Sequence, residues 1–232
     1  MVTDTAIPRL DVDIVSDVMC PWCIIGWLRF EQAMAHFAGR LAFRVRWHPF
    51  ELNPDMPPEG EDAASHVMRK YGISAEQSRA NSERLATAAA ELRFVFNRGP
   101  AFRMRNSFDA HRLLAWAAGC EAAEPAGTAT GVQTALKLAL FRAHFTDNRD
   151  VGDPQVLADV AASAGLDPAR AATILAGDAY AEEVRAEEAY WADNNITGVP
   201  AFILGGRMLI PGAQDPEVFV RIIENKLLTA AA

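Results

Sequence analysis

Two cysteines separated by two residues, in the segment CPWC at residues 20–23, constrain this chain more than any other feature. The preceding residues 10–17 (LDVDIVSD) nearly alternate apolar and polar side chains, as a strand entering a core does. Pro21 suits the first turn of a helix, because its missing N–H would have no intrahelical acceptor there. The pattern therefore predicts a strand that leads directly into a helix, with both cysteines at the helix start and its end near Ala38.

Strand-like and helical patterns continue in a definite order after this segment. Alternating apolar and polar residues over 41–47 predict a second strand, and the prolines within residues 48–60 predict an ordered loop. Residues 62–196 then carry mostly helical patterns, with Asp-Pro pairs that suit helix starts. The predicted helices span residues 75–94, 107–120, 130–145, 154–164, 168–176 and 180–194.

The last part of the chain predicts a hairpin followed by a helix. Residues 201–204 are short and apolar, Gly205-Gly206 suits a two-residue turn, and residues 207–210 form the return strand. A final helix opens at Asp215. The whole order is strand, helix, strand, a block of helices, two strands and a helix.

Composition and charge exclude several classes of protein. The chain has 232 residues and a formal net charge of −8, which argues against a surface that binds nucleic acid. No window is apolar enough to span a membrane, and residues 1–13 carry no export signal, so we expect a cytoplasmic protein with no membrane partner. Three cysteines are too few for a disulfide scaffold in a chain of this length, so those that matter are expected to be reactive.

The position of the two cysteines suggests what each would do. The first N–H groups of a helix lack intrahelical acceptors and the helix dipole is positive there, so we expect a lowered pKa for Cys20. Its thiolate would be the attacking species. Cys23 lies one turn further on and would resolve a mixed disulfide formed at Cys20.

Two other roles for the cysteines remain open at this point. In the first, the two cysteines would be half of a zinc site. Such a site needs two more Cys or His ligands, and neither Cys120 nor the five histidines show the paired spacing of zinc ligands. We therefore expect no metal. The other is a pair of inert buried cysteines, which is unusual for thiols at a helix start.

A second motif supports the first. Val199-Pro200 precedes the predicted strand at Ala201, and a proline in this place is a candidate for a cis peptide bond. A proline loop beside the cysteines would expose backbone groups that pair with an extended substrate chain. An ordinary trans turn is the alternative.

Taken together, these motifs resemble the DsbA family of thioredoxin-fold proteins, and within it the FrnE-like group. The similar segments, in order, are SDVMCPWC at 16–23, WHPFELNPDMPPEG at 47–60, NSFDAHRL at 106–113, FTDNRDV at 145–151, and GVPAFIL with IPGAQ at 198–214. The resemblance implies an α/β thioredoxin fold with a large all-helical insertion between the second strand and the cis-proline loop. It divides the chain into a discontinuous thioredoxin-fold domain, residues 10–60 and 196–229, and an insertion domain, residues 61–195.

The resemblance also implies an activity, namely thiol–disulfide exchange on protein or small thiol and disulfide substrates. Cys20 is then the nucleophile, Cys23 the resolving cysteine and Pro200 the cis-proline that faces them, with Pro21, Trp22 and Val199 supporting the site. No cofactor is expected beyond the dithiol itself, with glutathione as a possible co-substrate.

The residue between Pro21 and Cys23 bears on the direction of the reaction. Exported DsbA proteins usually carry CPHC, and here Trp22 stands in place of the His that would stabilise the thiolate. We therefore expect a weaker oxidant, with a reduction potential roughly between the −120 mV of DsbA and the −270 mV of thioredoxin. In a reducing cytosol such a dithiol would act mainly as a reductase or isomerase.

A related branch suggests an alternative function. Kappa-class glutathione transferases and 2-hydroxychromene-2-carboxylate isomerases usually have Ser at the first cysteine position and use glutathione, whereas this chain has Cys20. Asn53 in the proline-rich loop is a candidate for holding a glutathione-like thiol, or else it initiates a turn. His111 is a candidate polar contact beside the site, or else a packing residue behind a helix capped by Ser107.

A third hypothesis is not enzymatic. The insertion and the apolar surface near Trp22 would hold unfolded chains, as a redox-gated chaperone does. The oligomeric state stays open between a monomer and a homodimer.

Overall fold

The computed structural model describes residues 7–99, 102–121 and 131–228. Its first elements are β1 (Arg9–Ser16), α1 (Pro21–His36), β2 (Ala42–Pro49), β3 (Glu61–Asp62), α2 (Ala63–Tyr71), α3 (Ala75–Glu91), β4 (Arg103–Met104) and α4 (Phe108–Glu121). The remaining elements are α5 (Val132–Phe145), α6 (Pro154–Ser163), α7 (Pro168–Leu175), α8 (Ala181–Asp193), β5 (Ala201–Leu204), β6 (Met208–Pro211) and α9 (Pro216–Ile222), which continues into a π-helical segment, Ile223–Leu228.

The main sheet has the strand order β2-β1-β5-β6. β1 runs parallel to β2, which requires the crossover helix α1, whereas β5 pairs antiparallel with β1 and β6 pairs antiparallel with β5. Helices α2 to α8 all come between β2 and β5 in the chain. The predicted fold class, an α/β sheet interrupted by a helical insertion, is confirmed.

The element bounds differ from the predicted ones in a few places. α1 ends at His36 instead of Ala38, and the return strand begins at Met208, so that three residues separate it from Leu204. The sequence analysis missed α2 and the two-residue pairing of β3 with β4. Both the predicted helix start at residue 130 and the domain boundary at residue 229 lie outside the described residues.

An aromatic cluster forms the core between the sheet and its helices. Phe30 of α1 is fully buried and its ring centroid lies 5.4 Å from that of Phe202 in β5 and 5.1 Å from that of Phe219 in α9. Side chains at this spacing hold the helices against one face of the sheet through dispersion and exclusion of water.

The helical insertion packs against the sheet through polar as well as apolar contacts. Trp47 lies on β2, the edge strand, and its backbone N–H donates to the side-chain oxygen of Gln133 at 2.9 Å, while the Gln133 amide donates to its carbonyl at 2.8 Å. The Trp47 indole N–H donates to Thr134 at 2.9 Å. α5 thereby satisfies backbone groups that an exposed edge strand would leave unpaired. The buried cluster continues across this contact, and the assignment of residues 61–195 as a separate domain stays a prediction.

Among the residues that the structure describes, no helix is both long and apolar enough to cross a membrane.

Candidate active site

The two cysteines lie where β1 gives way to α1. Cys20 has an extended backbone and is the N-cap of α1, and Pro21 occupies the first helical position as the sequence predicted. Cys23 follows in the first turn, and both cysteines are free thiols. Cys20 is 4% exposed and Cys23 is 1% exposed, whereas Trp22 between them is 39% exposed. Trp22 is therefore the most exposed of these three side chains.

The loop before β5 meets the dithiol from a distant part of the chain. The Val199–Pro200 peptide bond is cis, in agreement with the sequence analysis. The Cys20 thiol donates to the carbonyl oxygen of Val199 at 3.7 Å. The antiparallel pairing of β1 with β5 brings residues 179 positions apart into contact, so the sheet itself assembles the site.

A glycine in α1 allows this close approach. A Cβ atom at Gly26 would lie 3.0 Å from Cγ of Pro200 and 3.3 Å from the ring of Phe202. Glycine normally weakens a helix interior, so its presence here is explained by the packing of α1 against the proline loop.

Replacing Gly26 with Val should therefore push the proline loop away from the cysteines. We expect a loss of about 1–3 kcal/mol in the free energy of unfolding, the usual cost of overpacking, together with slower disulfide exchange. Urea denaturation and an exchange assay measure the two effects. The matched control is Gly119→Val in α4, where nothing lies within 4 Å of the added Cβ and both quantities should stay close to wild type. Equal behaviour of the two variants would contradict this packing argument.

A buried carboxylate lies three residues before Cys20. Asp17 is 0% exposed; its Oδ1 accepts from the backbone N–H of Met19 at 3.0 Å and its Oδ2 accepts from that of Leu52 at 2.7 Å. His111 of α4 is also buried, with Nε2 3.6 Å from Asp17 Oδ1. Despite its burial, the pKa of Asp17 is lowered by His111 and by these backbone hydrogen bonds. The carboxylate therefore stays ionised close to the dithiol.

The pKa of the Cys20 thiol is raised well above its usual value. Its hydrogen bond with Cys23 is the largest cause, burial follows, and negative charge on Cys23 and Asp17 adds to both. A backbone N–H of Cys23 acts in the opposite direction without offsetting them. The prediction of a lowered pKa is therefore wrong. It considered only the helix start, whereas burial and the nearby acidic groups dominate.

A cavity of about 1020 Å³ opens beside Cys20. α2 and α3 supply much of its wall, and it also reaches Trp22 and Val199. Among the described residues that line it, the cationic side chains of Lys70, Arg84 and Arg98 outnumber the carboxylate of Asp62. A chain with a net charge of −8 thus presents a locally positive cavity next to its buried thiols.

Asn53 lines this cavity and is held in a fixed orientation. Its side-chain oxygen lies 2.8 Å from Nε2 of His66 and accepts from Nζ of Lys70 at 2.7 Å. His66 is in turn 2.5 Å from Glu61 through its other ring nitrogen. With the oxygen already engaged by these two groups, the Asn53 amide N–H groups are the ones left for a ligand.

The structure brings most of the predicted residues together but gives them different surroundings. The cavity reaches Cys20, Pro21, Trp22, Asn53 and Val199. His111 instead faces Asp17 behind the cysteines, and the α4 start is capped by the Asn106 side chain, which accepts from the N–H of Phe108 at 2.9 Å, instead of by Ser107.

Sequence reasoning missed Asp17, His66 and Lys70. An acidic residue three positions before Cys20 was visible in the sequence, but its significance depends on burial. His66 and Lys70 lie on the helix α2 that the sequence analysis did not predict. Within the described part of the chain, no three His, Cys, Asp or Glu side chains are grouped as metal ligands would be.

Comparison with known proteins finds related sequences and structures. The family model described as DSBA-like thioredoxin domain matches residues 11–224. A probable DsbA oxidoreductase of Streptomyces coelicolor is similar in structure, with a TM-score of 0.81 and 34% identity over 92% of this chain and 88% of that one.

Two further relatives are more distant. The uncharacterized Bacillus subtilis protein YwbO is 27% identical over 93% of this chain and 96% of its own length. The cytosolic disulfide reductase DsbM of Pseudomonas aeruginosa, in its complex with GSH, shares the fold with a TM-score of 0.60 and 18% identity over 94% of this chain and 99% of that one.

Proposed function

This chain belongs to the family of DSBA-like thioredoxin domains, and from that membership we propose that it exchanges thiols and disulfides through Cys20 and Cys23. The observation that carries the proposal is the position of the dithiol. Cys20 occupies the N-cap position of α1, its thiol donates to the Val199 carbonyl, and the residue lines the cavity. Pro200 and Trp22 complete the surface that a substrate would meet.

The proposed reaction has two steps. The Cys20 thiolate attacks one sulfur of a substrate disulfide, so that a Cys20–substrate bond forms and the other substrate sulfur leaves as a thiolate and takes up a proton. Cys23 then loses its proton to water and attacks the Cys20 sulfur, which releases the second substrate thiol and leaves a Cys20–Cys23 disulfide. The substrate gains the two electrons that the dithiol loses, and an external thiol such as glutathione restores the dithiol.

We propose the reductase or isomerase direction. DsbA oxidises strongly because its reduced form is stabilised, and ionisation of the attacking thiol is one source of such stability. Here the raised pKa of Cys20 favours the protonated thiol, and Trp22 offers no basic group. Both features support a weaker oxidant.

Substrate contact would combine two surfaces. The Val199 carbonyl and its neighbouring backbone groups suit an extended chain that pairs as an added strand. Trp22 and Tyr71, which are 39% and 58% exposed, offer apolar contact at the cavity. We therefore propose protein or small thiol and disulfide substrates, and a cytoplasmic location in which the dithiol is kept reduced.

A second candidate is a glutathione-dependent transferase or isomerase. The positive cavity and the oriented Asn53 amide favour it, because glutathione carries carboxylates that such groups would bind. Cys20 counts against it, since a thiol at this position would compete with the thiol of glutathione. The first candidate uses both cysteines, and the second needs neither.

The reduction potential of the dithiol tests the main proposal. The protein is equilibrated in glutathione redox buffers and its free thiols are trapped and counted. We expect a reversible two-electron couple between roughly −120 and −270 mV, and no couple in the Cys20→Ser, Cys23→Ser double variant. A wild-type protein without a couple in the accessible range would refute thiol–disulfide exchange through these residues. A potential more positive than about −120 mV would refute the proposed direction, and one more negative than about −270 mV would refute the expected interval but not that direction.

A further inference from the structure

A lysine side chain of the helical insertion lies fully buried at the end of β1, the strand that leads into the dithiol. Lys137 of α5 is 0% exposed, and its Nζ donates to the carbonyl oxygen of Ser16 at 3.2 Å, at the end of β1. Its ammonium also lies 5.5 Å from the ring centroid of Trp47 and 5.2 Å from that of Phe141. One hydrogen bond and two aromatic faces replace the water that this cation would have in solution.

Packing alone does not explain a lysine here. Among the residues that the structure describes, no carboxylate forms a direct ion pair with Lys137, and its neighbours Leu136 and Leu140 are fully buried and apolar. A methionine or leucine would fill the space without the cost of burying a charge. Burial lowers the pKa of Lys137 to about 8, and Cys23, Asp17 and Cys20, in that order, are the groups that favour its charged form. These three groups lie between the end of β1 and the first turn of α1, and the carbonyl that Lys137 binds belongs to Ser16 at the same place.

A charge of the opposite sign lies at the same turn. Asp17 follows Ser16 directly, is fully buried, and is held by the N–H groups of Met19 and Leu52. His111 of α4 lies 3.6 Å from its Oδ1. One inserted helix thus contacts the carboxylate, while another supplies an ammonium that binds the carbonyl of the preceding residue, Ser16.

We propose that Lys137 is a positioning residue for the redox reaction: together with Asp17 it forms a pair of opposed buried charges that sets how readily the dithiol ionises. This inference rests on the proposed function. The Lys137 ammonium stabilises the thiolate that attacks at Cys20 and the one that forms at Cys23 during resolution, whereas the Asp17 carboxylate opposes both. The helical insertion is then part of the redox centre and not only a wall of the substrate cavity.

The two charges predict effects of opposite sign, which a purely structural role would not produce. In Lys137→Met, the thiolate of Cys20 should form at higher pH than in wild type, with alkylation by iodoacetamide about tenfold slower at neutral pH. In Asp17→Asn, ionisation should move to lower pH and alkylation should be about tenfold faster. Thiolate absorbance and alkylation rates are recorded as a function of pH, after urea denaturation has shown each variant to be folded.

A control variant shows whether the effect depends on the buried position of the charge. Arg149→Met removes a surface cation that pairs with Asp159 and serves as the matched control, for which the pH profile should be unchanged. Shifts of Lys137→Met and Asp17→Asn in the same direction, or folded variants with the wild-type profile, would overturn the proposal. Since ionisation is measured without a substrate disulfide, this result stands apart from the outcome of the exchange assay.

The wild-type protein provides a measurement that does not depend on either variant folding. The Nζ resonance of Lys137 is followed by NMR through a pH titration of the dithiol and of the disulfide form. We expect the ammonium to be retained to higher pH in the dithiol, because only there can a nearby thiolate form and hold the proton on Lys137. Identical titration curves for the two forms would contradict electrostatic coupling.

Discussion

Replacing Cys20 with Ser is expected to abolish disulfide exchange, with a fall in rate on the order of a thousandfold or more, as when a covalent nucleophile is removed. A serine hydroxyl is not ionised at neutral pH and cannot form the mixed disulfide on which the reaction depends. The substitution removes one sulfur atom from the start of α1 and leaves Pro21 and the proline loop in place, so the fold should be retained. The loss is measured as the rate at which the variant reduces a protein disulfide, which is monitored through the free thiols released.

The third cysteine supplies the matched control. Cys120 lies near the end of α4, is only partly buried, and is a free thiol away from the cavity. Cys120→Ser should exchange disulfides at the wild-type rate. A Cys20→Ser variant that still turns over substrate with added glutathione would instead favour the transferase or isomerase, in which glutathione provides the reacting thiol.

Local features of the structure were the ones that the sequence predicted well. Pro21 at the first turn of α1 follows from its fixed φ and missing N–H, which do not depend on the rest of the chain. Gly205 and Gly206 both have positive φ values, 59° and 66°, which the turn before β6 requires and which glycine adopts without strain, although the loop has three residues instead of the predicted two. Features that depend on only a few neighbouring residues can be predicted from the sequence without knowing the fold.

The helix α2 shows how a local signal can be present and still be overlooked. Asp62 caps it by accepting from the N–H of Ser65 at 2.8 Å, and Gly72 ends it with a left-handed φ of 62°. Between these two signals, few side chains are buried, because α2 faces the cavity and solvent on most of its surface. α2 has only nine residues, so its apolar stripe extends over about two and a half turns. A pattern this short is difficult to recognise, and the two end signals were the clearest guide.

The electrostatics of the site could not be inferred from local sequence. The lysine in the apolar run ALKLALF at residues 135–141 would ordinarily extend along the helix until its charge reached water. The packing of α5 against β2 closes that route and leaves Lys137 inside the core. The raised pKa of Cys20 has the same origin, since burial and the Asp17 carboxylate arise from contacts between distant segments. The sequence identified the reacting atoms but not the charges around them.

The largest loss of stability is expected from a residue that takes no part in the chemistry. Phe30 is fully buried in α1. Its ring centroid lies within 6.4 Å of those of Trp27, Phe43, Phe202 and Phe219. Phe30→Ala removes a ring that joins α1 to β2, to β5 and to α9, and leaves a cavity that rigid neighbours cannot fill. We expect a loss of about 3–5 kcal/mol in the free energy of unfolding and a melting temperature lower by roughly 6–20 °C.

This prediction separates the stability of the scaffold from the reactivity of the dithiol. Urea and thermal denaturation measure the loss, and Leu209→Ala on β6, where the side chain is 47% exposed, should change stability by less than about 0.5 kcal/mol. Well below its melting temperature, Phe30→Ala should keep a Cys20 pKa close to that of wild type, because Phe30 carries no charge and makes no hydrogen bond to the site. A large change in that pKa would mean that the aromatic core, and not the buried charges of Asp17 and Lys137, determines how the thiols ionise.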